Sequence, residues 1–79
     1  MYFVYAIYSL NKNYIYVGIS DNPARRIEQH NNGYNKTTRP YLPFKILILE
    51  KFNLRKEARE REKYLKSGSG KEYLKTLIN

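Results

Sequence analysis

Five side chains of this 79-residue sequence have the types and spacing to do chemistry: Tyr5, Tyr16, Arg26, His30 and Glu62. Phenols can hold or pass a proton, a guanidinium offers a fork of donors that never deprotonates, and an imidazole titrates near neutrality. If the first hairpin turns through Ser9 to Lys12, Tyr8 pairs with Asn13 and Tyr5 falls opposite Tyr16. The two phenols would then stand side by side near Gly18, where a missing side chain admits another backbone or a ligand. Each tyrosine taken singly is as readily an ordinary strand former, since the chain has nine. Arg26 and His30 lie four residues apart and share a helical stripe, with Ala24 and Ile27 supplying the side expected to face the sheet. A lone histidine in a chain without cysteine cannot build a zinc site, so the other reading of His30 is a hydrogen-bonded boundary residue. Arg25, its neighbour, reads equally as part of a solvated basic face.

Glu62 is the most informative of the five. Leu54, Ala58 and Leu65 occupy positions i, i+4 and i+11 of one apolar stripe, and Glu62 falls on that stripe at i+8. A carboxylate at the edge of a core needs a partner. One partner is a Lys or Arg across the interface; another is a divalent ion, because Mg²⁺ is commonly held by only one or two carboxylates and completes its octahedron with waters and phosphate oxygens.

The elements that must position these groups are legible along the chain. Tyr2 to Tyr8 and Tyr14 to Ile19 alternate as two hairpin strands. Asn22-Pro23 reads as a helix N-cap with proline in the first turn, and Gly33 as the stop of a helix over Pro23 to Asn32. A polar loop follows to Pro43. "FKILILEKF", Phe44 to Phe52, is a third strand whose apolar run predicts a central position covered on both faces. Asn53 is expected to cap a helix from Leu54 to Lys66, and Ser69 with Glu72 to open a last helix through Leu77. The order is ββαβαα: an α/β (α+β) chain with a small, mostly antiparallel three-stranded sheet flanked by helices, one domain over residues 1–79.

Fifteen Lys and Arg against seven Asp and Glu give a net charge of +8, which calls for a polyanionic partner, nucleic acid foremost. A membrane surface would want a basic helix with a broad apolar face, and no apolar run is long enough to span a bilayer. The lack of cysteine makes a reducing cytoplasm the expected compartment.

Joined together, Phe3-Val4-Tyr5, the eleven-residue step to Tyr16-Val17-Gly18, and "DNPARRIEQHN" resemble the GIY-YIG nuclease family, whose name-giving tripeptides sit on a β-hairpin. "KEAREREKYLKSGSGKEYLK" is similar to the segment in small stand-alone members, and in excision-repair nuclease N-terminal domains, that presents a metal-binding glutamate. The resemblance implies Tyr5 and Tyr16 as motif tyrosines, Val4, Val17 and Gly18 as motif positions, Arg26 as catalytic arginine, His30 as helix histidine and Glu62 as ligand to one Mg²⁺ or Mn²⁺. Phe3 departs from the first glycine of the motif and Val17 from its isoleucine. A late asparagine used by some members has no clear match, as Asn79 is terminal and Asn53 precedes the helix.

The activity so implied is metal-dependent endonucleolytic hydrolysis of DNA, with little sequence specificity and a preference for branched, flapped or single-stranded forms. Tyr5, acidified by nearby cations, would act as base with His30 assisting. Arg25, Lys36, Arg39, Lys63, Lys66 and Lys71 would hold phosphates, and the protein would work as a monomer or weak dimer. A binding module of the same fold with little turnover is the alternative. A basic RNA-binding protein of the ribosome would explain the charge and leave Glu62 without a role.

Overall fold

Val4, Tyr5, Ala6 and Ile7 are consecutive, and each is at most 1% exposed. Strand side chains point alternately to opposite faces, so a run buried at every position must lie in a strand covered on both sides. The computed structural model, which describes residues 1–78, places these four in β1 (Tyr2–Ser9), between β2 (Ile15–Ser20) and β3 (Phe44–Phe52). Both pairings are antiparallel, in the order β2-β1-β3. The helices are α1 (Pro23–Asn31), α2 (Arg55–Lys66) and α3 (Gly68–Thr76), with a short 3₁₀ turn at Arg39–Tyr41. The order is ββαβαα, an α+β fold.

The central strand is therefore β1, and the apolar β3 lies at an edge. A register shift against Ala6 and Ile7 explains the misleading pattern. The irregularity breaks strict alternation, so Leu47 and Ile48 both join the core beneath α2 while Ile46 and Leu49 remain half exposed. One face of the sheet buries Val4, Ala6, Ile15 and Val17 against Ala58, Leu65 and Leu74 of α2 and α3. Its opposite face buries Tyr5 and Ile7 with Ile27 and Phe44, bordered by Tyr14, Tyr16, Tyr41 and Leu42.

Local signals at α1 act as anticipated. Asn22 Oδ1 accepts from the Arg25 amide at 3.3 Å, and Pro23 occupies the first turn. At the other end Gly33 takes φ +76°, with Gly33 N donating to His30 O and Tyr34 N to Gln29 O, each at 3.1 Å. This is the paired bonding of a Schellman motif, which needs a left-handed residue. Ala24, however, is exposed, and it is His30 that joins Ile27 in facing the sheet.

The other caps differ from expectation. Leu54, itself 61% exposed, is the N-cap of α2, and Asn53 makes no capping bond. Ser67, two residues earlier than expected, caps α3 by accepting from Gly70 N at 3.2 Å. Gly70 must be glycine because an added Cβ would run into the Tyr64 carbonyl and the Leu65 backbone. Arg61 fixes α2 to the edge strand through a two-pronged bond to Glu50, at 2.7 and 3.1 Å.

Candidate active site

Tyr5 pairs directly with Gly18, and its ring crosses the space where a side chain at 18 would stand. A Cβ there would come within 2.5 Å of the Tyr5 hydroxyl oxygen and 2.6 Å of Cζ. Glycine at 18 is thus what allows the phenol to reach over β2. The expected pairing of Tyr5 with Tyr16 is two residues out of register, because Ser9 reshapes the turn. Its hydroxyl accepts from the amides of Asn11 and Lys12 at 3.2 and 3.0 Å, and Tyr8 pairs with Ile15. An even slip keeps both phenols on one face. Tyr5 and Tyr16 are diagonal neighbours with ring centroids 6.3 Å apart.

His30 sits beneath them, 1% exposed, with its ring centroid 4.7 Å from that of Tyr16. Its Nε2 lies 3.2 Å from the Tyr5 hydroxyl and its Nδ1 2.9 Å from Thr38 Oγ1. Thr38 Oγ1 in turn reaches the Asn35 carbonyl, which can only accept. With the threonine hydroxyl donating to Asn35 over a long 3.5 Å contact, its oxygen is left to accept from His30 Nδ1–H. Nε2 keeps a lone pair, and Tyr5 O–H donates to it. Burial, and then the positive charge of Arg26, lower the His30 pKa, which agrees with a neutral ring.

Burial raises the Tyr5 pKa most, with Tyr16 adding to the effect; the Arg26 guanidinium lowers it through its donors and charge, and Glu62 raises it. The net direction is upward. An acidified phenol, the expectation above, is not what the protein holds by itself, because desolvation outweighs a single exposed guanidinium. The Tyr5 hydroxyl itself bonds to His30, whereas Arg26 of α1 bonds to Gln29 and Glu62 of α2 pairs with Lys66.

Arg26 is exposed and its guanidinium donates to Gln29 Oε1 at 3.3 Å. Among the described residues no carboxylate pairs with it. A cavity of about 210 Å³ is lined by Arg26, Gln29, His30, Tyr34 and Asn35. Glu62 has a side chain 14% exposed, and its Oε2 is 3.1 Å from Lys66 Nζ. It opens onto a larger cavity of about 710 Å³ along α2, between Arg55, Lys56, Arg59, Lys63 and Lys66. Among the described residues no three His, Cys, Asp or Glu side chains form a metal cluster. A divalent ion here would have one protein carboxylate and depend on water and phosphate oxygens, a donor set that suits a hard cation such as Mg²⁺ or Mn²⁺.

The expected phosphate contacts are dispersed. Arg25 and Lys36 are exposed near α1, whereas Arg39 directs its Nε to the Gly33 carbonyl at 2.7 Å and so also holds the loop. Lys63 and Lys66 flank Glu62, but Lys71 borders Asn13, Tyr14 and Ile15 at the hairpin end of β2. Sequence reasoning missed Thr38 and Asn35, which sit in an aperiodic loop with no pattern to mark them. It also missed Arg55, Lys56 and Arg59; the four-residue steps from Arg55 to Arg59 to Lys63 were a readable stripe.

Compared with protein-family models, residues 1–75 match the GIY-YIG catalytic domain. The chain belongs to the GIY-YIG family. It is also similar to UPF0213 protein CPE1444 of Clostridium perfringens (strain 13 / Type A), 42% identical over 53 residues, or 66% of this chain and 57% of that protein. The chain thus spans somewhat over half the length of that curated relative. No solved structure matches it. Membership brings a nuclease-type fold. In this GIY-YIG chain the two tripeptides lie on adjacent antiparallel strands, with Val4 and Val17 directed into the aliphatic core while Tyr5 and Tyr16 face α1. No helix among the described residues is long and apolar enough to cross a membrane.

Proposed function

We propose that residues 1–79 form a single divalent-metal-dependent endonuclease domain that hydrolyses phosphodiester bonds in DNA. It would select structure more than sequence, in repair or recombination. The observation that carries this reading is the Tyr5 hydroxyl bonded to buried His30 beside Gly18 and Tyr16, with Arg26 on the rim of the adjoining cavity.

Tyr5 takes a proton from the attacking water as its own passes to His30 Nε2. The Thr38 hydroxyl steadies the imidazolium through Nδ1–H. A bond forms between the water oxygen and phosphorus as the bond from phosphorus to the leaving oxygen breaks. The leaving oxygen takes a proton from solvent water, and His30 later returns its own to solvent. Passing the proton on replaces a buried phenolate with a buried imidazolium, a charge that burial and Arg26 also oppose and that the Thr38 oxygen at Nδ1–H offsets in part. Arg26, paired with no carboxylate among the described residues, donates to the non-bridging oxygens as charge grows on them. Tyr16 holds the His30 ring and the Tyr5 phenol in place. Glu62 would carry the Mg²⁺ or Mn²⁺, whose chemistry when bound is Lewis-acid stabilisation of the phosphate charge. Arg25, Lys36, Arg39, Lys63, Lys66 and Lys71, together with Arg55, Lys56 and Arg59, would grip phosphates without reading bases.

Supercoiled plasmid and branched DNA incubated with the protein in Mg²⁺ or Mn²⁺, with chelator as control, test the reading. Glu62→Ala is expected to abolish nicking and leave salt-dependent binding intact; Arg26→Ala is expected to damage catalysis and weaken binding slightly. Equal nicking by wild type and Glu62→Ala would overturn the assignment. The Lys66–Glu62 ion pair favours a second reading, a nucleic-acid-binding module with little turnover. Binding without chelator-sensitive nicking would be its result.

A further inference from the structure

Tyr34 is 73% exposed, the most open of the large apolar side chains among the described residues. Several other exposed or half-buried rings have partners. Tyr14 stacks on Tyr41 with centroids 3.9 Å apart, and Tyr64 and Tyr73 face the Arg61 guanidinium at 5.5 and 5.8 Å. Among the described residues Tyr34 has no aromatic or cationic partner. Its backbone is nevertheless firmly held, following Gly33 in the left-handed region and donating to the Gln29 carbonyl of α1. At helix ends of this kind the residue after the glycine commonly folds an apolar side chain back onto the last turn. Tyr34 instead projects from the rim of the cavity that contains Arg26 and His30.

We infer that Tyr34 is a stacking platform for one unpaired nucleobase, next to the nucleotide whose phosphate rests on Arg26, so that the preferred substrate is a single-stranded or flapped segment. Inside an uninterrupted duplex both faces of each base are covered by neighbours. A protein ring gains a face only where that stack is broken. A phenol carries no charge to grip a phosphate, so its contribution separates paired from unpaired nucleic acid where the basic residues do not. The inference relies on the proposed nuclease site only for where the phosphate sits.

Fluorescence anisotropy with a labelled short single strand, and with a blunt duplex of the same sequence, tests this in chelator with wild type, Tyr34→Ala, Tyr34→Leu and Tyr34→Phe. Tyr34→Ala is expected to weaken single-strand binding about tenfold and duplex binding less than about twofold, with Tyr34→Phe close to wild type. The dependence of single-strand affinity on salt should not change, since no phosphate contact is lost. Equal loss on both probes, no loss on either, Leu serving as well as Phe, or failure of wild type to bind the single strand would each overturn the platform. Nicking in Mg²⁺ is scored separately. If Tyr34-dependent binding persists while wild type shows no chelator-sensitive nicking, the nuclease reading fails and the platform stands.

Discussion

The two faces of β1 alternate residue by residue along one strand, yet they do different work. Val4 and Ala6 belong to a cluster with Ala58, Leu65 and Leu74 of α2 and α3, with Tyr2, Tyr8 and Phe52 at its margin, contacts that make no directional demand and give stability in proportion to buried area. Tyr5 and Ile7 meet an aromatic face in which polar atoms are threaded through the packing, and every buried side-chain nitrogen or oxygen among the described residues has a partner. The aliphatic face can tolerate repacking. The aromatic face cannot lose one polar atom without leaving another unsatisfied. In so small a chain this division lets one layer hold the fold while the other holds a buried hydrogen-bonded row beneath the cavity that Arg26 borders.

Substitutions on either face can break this division. Tyr5→Phe should lower the nicking rate about 10²- to 10⁴-fold, the usual worth of a positioned acid or base, while circular dichroism still reports a folded protein. Leu65→Ala is expected to cost about 2–5 kcal/mol by opening a cavity in the aliphatic face. Chemical denaturation would measure that as a large part of a total near 5–15 kcal/mol, with activity per folded molecule unchanged. Gly18→Ala should cost about 1–3 kcal/mol, because the added methyl must displace the Tyr5 ring, and it should reduce activity as well. A stable, active Gly18→Ala protein would disprove the claim that the ring's path depends on that glycine.

The smallest effect is a pH dependence of Tm. His30 has a folded pKa below its unfolded value near 6.5, so the unfolded chain binds the proton more readily. The stability tied to neutral His30 is complete above about pH 6.5 and is lost as pH falls through the depressed folded value. His30→Gln should flatten that part of the Tm profile. In wild type, nicking should fall on the same acid side, since a protonated Nε2 cannot accept from Tyr5.

Much of the architecture was legible because it rests on local chemistry. Asn22, Pro23 and Gly33 mark α1 through capping and a left-handed φ that depend on only a few neighbouring residues. The hairpin strands follow from alternation, which survives even the two-residue error in register since side-chain direction repeats every two residues. The motif residues were legible through their spacing. By contrast, the apolar β3 looked central because composition cannot reveal a bulge, and Asn53 and Ser69 looked like caps because residue type alone does not say where a chain turns.

Residue order alone established the element sequence, the basic charge and the five chemically capable side chains, since each depends on neighbours within a turn or a strand. Three-dimensional packing set which strand lies in the middle, brought Thr38 under His30, laid Tyr5 over Gly18 and left Tyr34 facing solvent. The His30–Thr38 and Tyr5–His30 bonds join groups 8 and 25 residues apart in the chain, and the pairing of β1 with β3 reaches further still. Such contacts exist only once sheet and helices enclose a common interior, where burial shifts the proton affinities of Tyr5 and His30 in ways no local pattern encodes.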